Sequence, residues 1–70
     1  MTDDSFEVKL SHWETSVSAL PGGTLGTADN VNALALKNAM AASPPPALAS
    51  PSQQARYRRA YDECCTKQSR

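Results

Sequence analysis

Residues 4–20 read Asp4-Ser5-Phe6-Glu7-Val8-Lys9-Leu10-Ser11-His12-Trp13-Glu14-Thr15-Ser16-Val17-Ser18-Ala19-Leu20, and their spacing decides the fold. Phe6, Leu10, Trp13, Val17 and Leu20 recur at intervals of four, three, four and three, the period that lines apolar side chains along one face of an α-helix. Over a shorter run Phe6, Val8 and Leu10 alternate with Glu7 and Lys9 as a strand would. The helical period covers all five large residues and has a signal at each end, so it prevails. Asp4 is placed to accept hydrogen bonds from first-turn N–H groups while Glu7, three residues on, reaches back. Pro21, Gly22 and Gly23 follow; proline removes a backbone donor and glycine frees the chain, which ends a helix predicted over about 5–20.

Downstream, Thr24, Leu25 and Gly26 continue an irregular Gly-rich connection, and Thr27 or Asp29 is positioned to cap a second helix over about 29–41. Its apolar residues, Val31, Leu34, Ala35, Leu36, Ala39 and Met40, are mostly small. Alanine favours the helix but contributes little buried area, so this segment needs neighbours. Together these helices make an N-terminal helical segment, 1–40. Residues 41–50, with three consecutive prolines at 44–46, read as a Pro/Ala/Ser linker with a polyproline II bias. Ser50-Pro51-Ser52-Gln53 then places a capping serine, a proline in the first helical position and a glutamine three residues after the cap. A basic C-terminal helix over 51–70 begins there, with Arg58 and Asp62, Arg59 and Glu63, and Glu63 and Lys67 each four residues apart. Its apolar stripe is narrow: Tyr57, Tyr61 and Cys64.

The fold class is therefore mainly α, two or three short helices joined by Gly-rich and Pro-rich irregular segments. Seventy residues with one Trp, one Phe and two Tyr are expected to hold little core of their own, since so short a chain buries only about 60% of its unfolded surface. Net charge is zero, but residues 1–50 hold two basic residues against five acidic ones, and residues 51–70 hold five against two. A zero total argues against general nucleic-acid binding, and the basic C-terminal segment leaves room for a local anionic contact. No stretch reaches the roughly 18 to 20 apolar residues that span a bilayer, and the acidic start, Asp3-Asp4, is unlike a basic leader. Two adjacent cysteines do not make the spaced framework of a secreted mini-domain. An intracellular, reducing setting, the cytoplasm, is expected.

Cys64-Cys65 is the most tempting chemical pair, yet successive helical residues point about 100° apart and a closed zinc site needs four ligands. His12 is the single histidine and has no nucleophile partnered to it in sequence. Gly22, Gly23 and Gly26 lack the Lys-Ser/Thr ending of a phosphate loop. The sequence thus calls for no catalytic residue, no cofactor and no metal. It points to a non-enzymatic accessory or assembly subunit docking on a larger protein or multiprotein complex. The expected partner-binding residues are Phe6, Leu10, Trp13 and Val17 on the first helix, and Arg56, Tyr57, Arg59, Tyr61 and Cys64 on the third. Tyr and Arg concentrate at protein interfaces. The second reading is a small helical nucleic-acid-binding module using the arginines of residues 56–59.

Overall fold

The computed structural model describes residues 4–22 and 25–68. It holds three helices, α1 (Asp4–Ala19), α2 (Thr27–Ala42) and α3 (Pro51–Gln68), and no strand among the described residues. The connections are short, so consecutive helices run antiparallel. The result is an elongated up-down-up bundle of 39 × 16 × 15 Å. None of the helices among the described residues is long and apolar enough to cross a membrane.

The four-three stripe of α1 faces inward. Phe6, Leu10, Trp13 and Val17 join Leu20 and Leu25 from the first connection, Ala33 and Met40 from α2, Ala49 from the second connection, and Ala60 and Cys64 from α3 in one buried cluster. Where composition implies little core, the chain builds one from its own three helices. Small residues make this geometry feasible. Ala33 and Ala60 let backbones approach closely, so one Trp and one Phe fill a volume that larger side chains would overpack. The rings meet edge to face: Phe6 and Trp13 lie 5.9 Å apart at 71°, and Trp13 and Tyr57 lie 5.9 Å apart at 68°, the arrangement that the ring quadrupoles favour.

The helix ends follow partly different rules from those expected. At α3 both bonds of the capping box form: the Gln53 N–H donates to Ser50 Oγ and the Ser50 N–H donates to Gln53 Oε1, each 3.1 Å. At α2 the N-cap is Gly26 and no side chain caps the helix; Thr27 is already its first residue. Glu7 does not turn back toward Asp4 but reaches Ser11, Gln53 and Arg56. Asp4–Ala19 has no basic residue in its last turn, and the cation comes from elsewhere. Lys67 on α3 donates to Val17 O at 2.8 Å and to Leu20 O at 2.9 Å, so one ammonium satisfies two carbonyls at the negative end of α1. The proline segment folds back on the bundle. Ala42 closes α2, Ala49 N–H donates to Pro46 O at 3.0 Å, and Ala49 is buried.

Two stability outcomes follow from this packing. Trp13, 5% exposed, should emit blue-shifted fluorescence in the isolated chain, and Trp13→Ala should cost about 3–5 kcal/mol, read by urea denaturation. Solvent-like emission from the folded monomer would contradict the packing. Lys67→Met should cost about 2 kcal/mol because two charge-assisted bonds vanish, whereas Glu63→Gln, whose carboxylate lies 3.8 Å from Lys67 and half in solvent, should change the unfolding midpoint little.

Candidate functional site

α3 carries polar chemistry on two sides. Toward α1, Arg56 forms a fork on Glu14, with Nε donating to Oε2 at 3.1 Å and Nη2 donating to Oε1, while Nη1 donates to Glu7 Oε1 at 2.8 Å. Gln53, 1% exposed, donates to the same Glu7 oxygen at 3.2 Å, and Ser11 Oγ donates to Oε2 at 3.0 Å. Hydrogen bonds from Arg56, then Gln53 and Ser11, hold the Glu7 carboxyl down at about 2. The guanidinium, bonded to Glu14 and Glu7, is held still more firmly charged. This is a structural clamp, since each nitrogen of the group donates within the chain.

The other side of α3 is open. Between the proline segment and the helix lies a groove of about 650 Å³, with Pro45 and Pro46 on one wall and Tyr57, Arg58, Tyr61 and Asp62 on the other. The Tyr57 and Tyr61 rings stack there at 6.2 Å and 21°. Tyr57 is anchored, its hydroxyl donating to Met40 O at 2.7 Å, and burial followed by the neighbouring Tyr61 pushes its ionisation upward. Tyr61 is half-buried and Arg58 exposed. Arg58 and Arg59 make no ion pair among the described residues: the pairs there are Arg56 with Glu7, Arg56 with Glu14, and Lys67 with Glu63. The expected Arg58–Asp62 and Arg59–Glu63 bridges are not formed.

The residues expected to bind a partner therefore divide. Phe6, Leu10, Trp13, Val17 and Cys64 face the chain's own core, because α2 and α3 close over the stripe that the sequence left uncovered. A partner reaches them only by opening the bundle. Arg56 is held by two glutamates of α1. Tyr57 and Tyr61 line the groove with Arg58, and Arg59 is exposed on the α1 side of α3, beside Glu14 and Ser18. Pro45 and Pro46, read in the sequence as part of a linker, complete the groove, and Arg58, expected to pair with Asp62, stands in it with that residue. The signal was the arginine and tyrosine spacing; the proline contribution needed the fold-back of residues 43–50. The Cys64 thiol donates to Ala33 O at 3.4 Å, and burial, then the adjacent Cys65, raises its ionisation. No cluster of three metal-ligating side chains occurs among the described residues.

The clamp carries a pH signature. A carboxylate held at about 2 in the fold, against 4.5 when unfolded, contributes stability that is fully present above the unfolded value and is lost as pH falls through about 2. Thermal melts between pH 7 and pH 2 should therefore show Tm constant at the upper end and declining below about pH 4.5. Glu7→Gln should flatten that decline; an unchanged acid slope would show that Glu7 is not the linked group. Comparison of the chain with protein-family models, with curated proteins and with solved structures finds no match.

Proposed function

We propose that this chain is a small non-enzymatic accessory or assembly subunit that docks on a larger protein or protein complex, and that the groove beside Pro45 and Pro46 receives an acidic segment of that partner. The observation that carries the reading is the stacked Tyr57–Tyr61 pair facing two prolines beside an arginine with no ion-pair partner among the described residues. Tyrosine and proline offer broad rigid faces at low ordering cost, and tyrosine and arginine dominate interface hot spots. α3 has four basic residues against two acidic ones, so its field favours an anionic surface and speeds encounter. The two cysteines are free thiols, which suits a reducing intracellular compartment.

Nucleic acid ranks second. Arg56 is committed to Glu7 and Glu14, which leaves Arg58 and Arg59 as the exposed cations of α3, few for a phosphate backbone.

A photoreactive phenylalanine analogue at position 61, introduced into the intact chain in its native cells, tests the reading. One stoichiometric protein adduct is expected, and with that protein purified, Arg58→Glu should weaken binding at least tenfold at unchanged helicity, chiefly by slowing association. Adducts to RNA or DNA, with affinity falling steeply between low and moderate salt, would transfer the assignment to the nucleic-acid reading.

A further inference from the structure

A second groove, of about 520 Å³, runs between α1 and α2. Trp13, Leu20 and Leu36 border it, and its rims are small: Ser16, Ala35 and Ala39. One turn from Ala35, the outer face of α2 exposes Val31 at 61%, so apolar surface continues from groove to helix crest. Every fully exposed residue of α2 is uncharged, and its two charged residues, Asp29 and Lys37, are half-buried. α1 and α3 are different, for their exposed residues include Asp4, Lys9, Arg58, Arg59, Asp62 and Glu63. Charge depletion over one face is what separates an interface centre from ordinary surface.

We propose that this α1–α2 face pairs with the same face of a second copy of the chain, as a two-fold symmetric dimer in which four helices meet. Net charge is zero, so two copies approach without long-range repulsion. Besides Ser16 and Asn32, the groove is lined by two ionisable side chains, His12 and Asp29. Asp29 lies in the first turn of α2, about 4 Å along the axis from the connection, and His12 lies about 12 Å from it on α1. A two-fold axis across the middle of the groove exchanges these levels, setting each Asp29 carboxylate opposite the other copy's His12. The imidazole ring carries an N–H donor in either protonation state, so the pairing is complementary and occurs twice by symmetry. A parallel arrangement would place Asp29 against Asp29.

The size of the face fixes the strength. Two helices of 16 residues, about 24 Å long and lying about 9 Å apart, present roughly 400 Å² per copy, below the 1,200 Å² total of a stable interface. The dimer is therefore weak and forms only at high protein concentration. The groove beside Pro45 and Pro46 lies on the α3 side and stays open, so this pairing is independent of the docking function proposed above.

Sedimentation equilibrium of the intact chain from about 10 µM to 1 mM tests it, with helicity followed by circular dichroism. A monomer–dimer equilibrium is expected. Ala35→Glu, at an exposed site in a residue type that favours helix, should weaken the dimer at least tenfold at unchanged helicity. Asn32→Lys, a second exposed position on the same rim, should do the same. His12→Glu should weaken pairing several-fold, and His12→Glu combined with Asp29→Lys should restore it. A chain that stays monomeric across the range overturns the proposal. So does a dimer that survives both rim substitutions, or one that Arg58→Glu abolishes.

Discussion

One guanidinium fixes how the bundle is assembled. Arg56 reaches from α3 to Glu7 and Glu14 on α1, two carboxylates that lie seven residues apart, two helical turns. Because a fork of fixed geometry bonds both, α3 has a single axial position against α1. That position sets Tyr57 against Trp13, brings Cys64 onto the carbonyl of Ala33, and delivers Lys67 to the end of α1.

The same constraint explains what the sequence could and could not disclose. Local signals were legible. The four-three spacing of Phe6, Leu10, Trp13 and Val17 and the Ser50–Gln53 box depend on residues within a few positions of one another, and the helical class follows from them. What escaped was everything that acts across tens of residues. Glu7 looked like a member of an N-terminal box because nothing nearby competed for it, yet a guanidinium 49 residues away claims its oxygen. Alanines looked like a deficit of core, whereas close backbone approach turns Ala33 and Ala60 into the positions that let few large side chains suffice.

The site reading was divided by the same cause. An apolar stripe and a Tyr/Arg stripe, considered singly, each call for a partner, and each is in large part the other's partner. After closure the unsatisfied chemistry moves to places that pattern alone does not mark: the crevice between a proline segment and α3, where Arg58 has no ion-pair partner among the described residues, and the uncharged crest of α2. Proline 45 and proline 46 count as a spacer while the chain is read as a line. They become a wall when residues 43–50 turn back.

The long reach of the closing contacts has a consequence for biosynthesis. The bonds that Arg56 and Lys67 make to α1 bridge 42 to 50 residues, so α1 emerges from the ribosome before its covering residues do. At translation rates of about 5–20 residues per second, that delay lasts roughly 2–10 s. A helix forms in about a microsecond, so for nearly all of this interval the nascent chain displays Phe6, Leu10, Trp13 and Val17 as an uncovered amphipathic face. Such a face is the kind of surface on which chaperones act, and a pause in translation before codon 56 would prolong its display without altering the finished fold.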